Sequence, residues 1–135
     1  RLGYGIMPER LADYLCRVRL PFSINSQAEA AGLAALEDRE FLRLTLEAVS
    51  SGRRFLHEGL IAIGCRPEPS LANFLIFRLP AGCTLSADEV FTALLRRGVI
   101  IRPVKSYDLP EHLRVSVGNP EENRVFLREL GEILN

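Results

Sequence analysis

A planar guanidinium offers two parallel N–H donors to a carboxylate or a phosphate, a fit that an ammonium cannot reproduce. Two such groups, Arg102 and Arg114, stand in the stretch GVIIRPVKSYDLPEHLRVSVG (residues 98–118), whose remaining positions read largely as buried strand. Leu113, Val115 and Val117 share one parity and His112, Arg114 and Ser116 the other. A period of two therefore sends the aliphatics into a core and fixes Arg114 on the opposite face. Arg102 ends the aliphatic run Val99 to Ile101, and Pro103, which has no N–H to donate, is expected to stop the pairing there. If the segment from Pro103 to Glu111 turns the chain back, the two strands pair antiparallel and the arginines become neighbours, suited to a doubly charged anion. The same spacing also describes two surface arginines with salt-bridge partners.

Composition narrows the classes of function. The chain has 135 residues, 47% hydrophobic and 25% charged, which is enough for one core, or for one domain with part of another. A formal net charge of zero argues against a partner held by phosphate neutralisation, so no nucleic acid is expected. No apolar run is long enough to span a membrane and no signal-peptide pattern opens the chain, which makes a cytoplasmic protein the expectation. Cys16, Cys65 and Cys83 are odd in number and lack CxxC spacing, and with only His57 and His112 beside them no metal site is expected.

The elements that must position Arg102 and Arg114 follow from pattern. Arg1 to Met7 alternates loosely and suits a short strand, followed by a helix from Pro8 or Glu9 with Leu11, Leu15 and Val18 as its stripe. After an extended connector carrying Pro21, Ser26 and Glu29 offer a capping box for an alanine-rich helix to Leu36. Asp38 caps a long amphipathic segment that runs to Gly64, with a bend or break expected at Ser50, Ser51 and Gly52. Asn73 to Leu79 reads as a strand buried on both faces. Ser86 with Glu89 caps a helix closed by Gly98. The two strands of the arginine stretch follow, and Asn119, Pro120 and Glu122 open a last helix. The order from Pro69 predicts an α/β fold with helices packed on one face of a small antiparallel or mixed sheet.

GVIIRPV, YDLPEHLRVSVG and the helix opening NPEEN resemble the C-terminal end of histidinol-phosphate aminotransferases, pyridoxal-phosphate enzymes of fold type I. RLGYGIM resembles the segment after their cofactor lysine, and RLPFSINSQAEAAGLAALED and PSLANFLIF resemble the stretches between, so the resemblance covers essentially the whole chain in order. It implies a remnant of the large cofactor domain at 1–37, an interdomain helix at 38–64 and the C-terminal small domain at 65–135. It also implies pyridoxal 5'-phosphate as cofactor, glutamate/2-oxoglutarate and histidinol phosphate as substrates, and a homodimer. By the same resemblance Arg1 contacts the cofactor phosphate and Arg114 grips the substrate carboxylate or phosphate. Arg102 is then the second arginine of that pocket. Asn73, which precedes the strand aromatic in ANF, reads either as orienting substrate or a neighbouring arginine or as capping the strand. Tyr4 and Tyr107 are weaker candidates for the mouth of the site.

The basic residues are sixteen arginines and one lysine, Lys105, which lies away from the family's Schiff-base position upstream of Arg1. The expectation is therefore the C-terminal part of a longer enzyme, lacking the catalytic lysine and inactive by itself. Two alternatives remain: a threonine-phosphate decarboxylase-like enzyme of cobalamin synthesis, and a non-enzymatic α/β module whose arginines hold a small anion.

Overall fold

Residues 2–134 are described by the structure, a computed structural model. They divide into two compact units, one ending at Arg43 and the other beginning at Leu44. In the first, α1 (Glu9–Val18) opens after Pro8 and α2 (Ser26–Glu37) follows the connector. Residues 2–7 form no strand, contrary to the reading of their alternation. A strand needs a ladder neighbour for its backbone groups, and this unit contains none among the described residues. The cap of α2 also differs from expectation. Asn25 Oδ1 accepts from Ala28 N–H at 2.7 Å, so Ser26 is the first helical residue and the Ser26–Glu29 box does not form.

The long helix α3 (Arg39–Ala62) is capped by Asp38, whose Oδ1 accepts from Phe41 N–H at 2.8 Å. It runs unbroken through Ser50, Ser51 and Gly52, so the expected break is absent. Ser51 Oγ donates back to the carbonyls of Glu47 (2.9 Å) and Ala48 (3.1 Å), which satisfies its hydroxyl inside the helix. Gly52 is small for packing. A Cβ there would lie 2.5 Å from Val117 Cγ1 and 3.0 Å from Asn123 Nδ2. The helix stops at Gly64, whose φ of 88° lets Cys65 N–H reach the Leu60 carbonyl at 2.9 Å.

The second unit contains a four-stranded antiparallel sheet in the order β1-β2-β4-β3. The strands are β1 (Arg66–Pro67), β2 (Phe74–Arg78), β3 (Arg102–Pro103) and β4 (His112–Ser116). β1 was not foreseen. β3 begins at Arg102 and includes Pro103, where the sequence suggested that pairing would end; as an edge strand it has no ladder bond to lose on its outer side. One face of the sheet presents Leu75, Phe77, Leu113 and Val115 to Leu56 and Leu60 of α3, Val90 and Leu94 of α4 (Ala87–Arg96), and Phe126 and Leu130 of α5 (Pro120–Leu134). The α/β layering with helices on one face is as expected. The other face of β2 is only half-buried, a correction to the reading of a strand buried on both sides.

Both remaining caps form as read. Ser86 and Glu89 make a reciprocal capping box on α4, with Ser86 N–H donating to Glu89 Oε2 at 2.8 Å. Asn119 and Glu122 do the same on α5, at 2.9 and 2.7 Å. Asn123, only 3% exposed, uses Oδ1 and Nδ2 on the N–H and carbonyl of Gly118 at 2.9 and 3.0 Å, which fixes the turn from β4 into α5.

Gly52→Ala gains about 1 kcal/mol of helix propensity but forces overpacking that costs about 1–3 kcal/mol. The expected outcome is a lower urea midpoint with an unchanged slope. A raised midpoint would mean that the glycine carries no packing role.

Candidate functional site

The helix-free face of the sheet is built by register. Directly paired residues in an antiparallel ladder share a face, with Cβ atoms about 4.5–5.5 Å apart. Arg114 of β4 is paired with Arg102 of β3 on one side and with Ile76 of β2 on the other. The two arginines singled out in the sequence thus sit side by side on the face that the helices leave free. The same face carries Arg66 opposite Arg78, and Arg78 opposite His112. These neighbours were not singled out as site residues, because their placement depends on β1 and on the exact β2–β4 register.

The two predicted arginines differ in setting. Arg102 is exposed, whereas Arg114 is half-buried. Its guanidinium lies over the ring of Phe74, 5.2 Å from the centroid, a cation–π contact across one diagonal of the ladder. Neither arginine has a carboxylate partner among the described residues, which disfavours the reading of two salt-bridged surface groups. Arg114 Nε is moreover buried and without any hydrogen-bond partner. A buried donor left unpaired typically costs about 1–3 kcal/mol, more when charged, so this N–H is unspent capacity for an acceptor from outside. Several other arginines do have acid partners: Arg78 pairs with Glu111, and Arg97 donates to Glu129 (3.0 Å) and Glu132 (2.5 Å). Hydrogen bonds from Arg128 and then Arg97 hold the Glu129 carboxyl below its ordinary value.

Asn73 lies just before β2, where its carbonyl accepts from Val117 N–H at 2.9 Å. Its side chain is exposed and makes no hydrogen bond among the described residues. Tyr4 and Tyr107 are 82% and 68% exposed. Arg1 lies outside the described residues. Lys105 is exposed and paired with Asp88 Oδ2 at 2.6 Å. His112, two residues before Arg114 in the chain, has a buried Nδ1 with no partner, a second orphan on the same face.

The cysteines show how burial sets reactivity. Burial, with a smaller contribution from Cys83, pushes the Cys65 thiol up to about 12, while Cys16 is exposed. Among the described residues no three His, Cys, Asp or Glu converge on a possible metal site, and no helix is long and apolar enough to cross a membrane.

Comparison with known proteins adds to this geometry. The family described as aminotransferase class I and II matches residues 1–130. A histidinol-phosphate aminotransferase of Nitratidesulfovibrio vulgaris is 62% identical over 134 residues, which is 99% of this chain and 35% of that protein. Another, of Oleidesulfovibrio alaskensis, is 54% identical over the same share of each. The chain therefore spans about a third of the length of these relatives. The crystal structure of the histidinol-phosphate aminotransferase from Clostridium acetobutylicum matches with a TM-score of 0.83 at 25% identity, over 94% of this chain and 38% of that one.

Alkylation at pH 8 is expected to modify Cys16 first and to leave Cys65 protected until the fold opens, as read by peptide mass mapping. The folded Cys65 value lies above its ordinary 9.0, so unfolding releases the proton more easily than the native state does. That contribution to stability is intact below about pH 9 and is lost as pH rises toward about 12.

Proposed function

We propose, from the premise that this chain belongs to the class I and II aminotransferase family, that it supplies the acid-binding end of a histidinol-phosphate aminotransferase. The reaction would be the reversible transfer of an amino group from glutamate to imidazole-acetol phosphate, giving histidinol phosphate and 2-oxoglutarate. The observation that carries the reading is the paired Arg102 and Arg114, with no carboxylate partner and with Arg114 Nε unsatisfied. The names of the relatives support the choice of substrate.

Glutamate brings a carboxylate in one half-reaction and the phosphate ester brings a dianion in the other. Arg114 would bind both by its fork, and Arg102 would add the second charge that a dianion needs. Asn73, at the start of β2, would orient the substrate beside them. The site would thus hold the substrate's acid and orient its reacting end without itself moving a proton.

The family is generally dependent on pyridoxal phosphate, which when bound supplies the electron sink for chemistry at the amino-bearing carbon. Residues of this chain fit the substrate's acid in such a reaction but not the cofactor lysine, because Lys105 is exposed and ion-paired with Asp88. Arg1 would contact the cofactor phosphate. In the longer enzyme, residues 1–37 would belong to the cofactor domain, 38–64 to the linking helix and 65–135 to the small domain. A cytoplasmic homodimer completes the proposal.

In the full-length enzyme, Arg114→Lys replaces the fork by a point charge. The expected outcome is a loss of about 1.5–3 kcal/mol, roughly tenfold to a hundredfold in kcat/KM, for both glutamate and histidinol phosphate. Arg102→Lys should penalise the phosphate ester more than glutamate. Lys105→Arg preserves the exposed ion pair and should leave turnover within about twofold, since such pairs contribute only about 0–1 kcal/mol. Unchanged steady-state kinetics in Arg114→Lys for both substrates would overturn the assignment of the acid site.

A further inference from the structure

Arg114 is one of two half-buried arginines among the described residues, the other being Arg53. Arg53 spends a donor on the Ala72 carbonyl at 3.0 Å. Arg114 has no such anchor: no hydrogen bond, no carboxylate, and an Nε with no acceptor. An arginine without a partner retains much of its rotamer freedom, and an anion that binds it must overcome the loss of that freedom. What limits Arg114 is an aromatic ring. Its guanidinium carbon is 5.2 Å from the centroid of Phe74, and Ile76 lies directly opposite Arg114 in the β2–β4 ladder.

Phe74 is itself held in place. The residues before it are fixed by Arg53 on the Ala72 carbonyl (3.0 Å) and by Val117 N–H on the Asn73 carbonyl (2.9 Å). Ser70 Oγ donates to the Phe74 carbonyl at 2.7 Å. Phe74 also lies opposite Ser116, on the same face as Arg114. The ring is therefore pinned by its backbone while its side chain faces away from the helices, where a Phe adds little to the main core. Its neighbour on that side is the cation.

We infer that Phe74 is a positioning residue for the acid site: its ring face holds the Arg114 guanidinium before the ligand arrives, so that the fork meets a carboxylate or phosphate already oriented. This rests on the reading of Arg114 as the acid-binding residue and deepens it. Attraction between a cation and a ring quadrupole is electrostatic, so it weakens as electrons are withdrawn from the ring even when its shape is kept. Pre-orientation acts on binding, equally in the ground and transition states, so it shows in KM rather than kcat.

The test uses the full-length enzyme, with glutamate and histidinol phosphate as the two acids. Phe74→Leu removes the ring face and is expected to raise KM for glutamate about threefold to tenfold, with kcat nearly retained. Combined with Arg114→Gln, which removes the cation, Phe74→Leu should add less than twofold. Replacement of Phe74 by mono-, di- and trifluorophenylalanine keeps the packing and should raise KM stepwise, and this series decides the matter should Phe74→Leu fail to fold. A KM that stays flat across the fluorinated series, or a Phe74→Leu effect that multiplies undiminished with Arg114→Gln, would make Phe74 a packing residue and overturn the inference, while a large KM effect of Arg114→Gln alone would leave the acid site standing. If Arg114→Gln leaves KM unchanged for both acids, the acid-site reading itself fails.

Discussion

The structure depends on the register of β4 between β2 and β3. Phe77 pairs with Leu113 and Leu75 with Val115, so the buried side chains of the two central strands meet over the helices while Ile76 and Arg102 flank Arg114 on the other face. A slip of one residue would expose Leu113 and Val115 and turn the guanidinium into the core. Burying an unpaired charge costs several kcal/mol, and the exposed aliphatics would add to that, so a single register is strongly favoured. The placement of the arginine pair thus follows from the packing of the aliphatics.

That register is secured at both ends of β4. At its start, the Val104 N–H reaches the His112 carbonyl at 3.3 Å after β3. At its end, Asn123 closes on both backbone groups of Gly118, and the Asn119–Glu122 box starts α5 immediately afterwards. The bare flank of α3 at Gly52 lets Val117 and Asn123 approach the helix. α5 is tied to α4 in turn by Arg97, whose guanidinium joins Glu129 and Glu132. Helix caps, a buried amide and one glycine therefore fix the strand that carries Arg114.

Much of this was legible in the sequence because it is local. The parity of Leu113, Arg114 and Val115, the Ser86–Glu89 and Asn119–Glu122 boxes, and the stop at Gly98 are all set within a few residues. The pairing of Arg102 with Arg114 was legible too, since one hairpin joins them. What failed depended on distant partners. The strand expected over Arg1 to Met7 has nothing to pair with among the described residues of its unit, and the break expected in α3 ignored the contacts that make Gly52 small. The two-residue β1 exists only because β2 offers an edge, and with it came Arg66 beside Arg78. The Asn25 cap was a local error: two capping residues were adjacent, and Asn25 took the role given to Ser26. The cation–π contact of Phe74 with Arg114 needed the β2–β4 register, which no hairpin sets.

One sheet face thus holds two arginine pairs, and they are treated differently. Like charges placed directly opposite one another repel. At Arg66 and Arg78 the chain supplies a compensating acid, Glu111, in an exposed setting where salt screens what remains. At Arg102 and Arg114 the described residues supply none, and the half-burial of Arg114 shields its charge from solvent, so the repulsion there is less well screened. An aromatic face offsets part of the cost to Arg114 but accepts no hydrogen bond through Nε. An entering carboxylate or phosphate would relieve the repulsion and satisfy the orphaned donor at once. The same uncompensated charge that weakens the free unit would therefore be a source of affinity for an acid, and a dianion, which neutralises both arginines, would gain more from it than a monoanion.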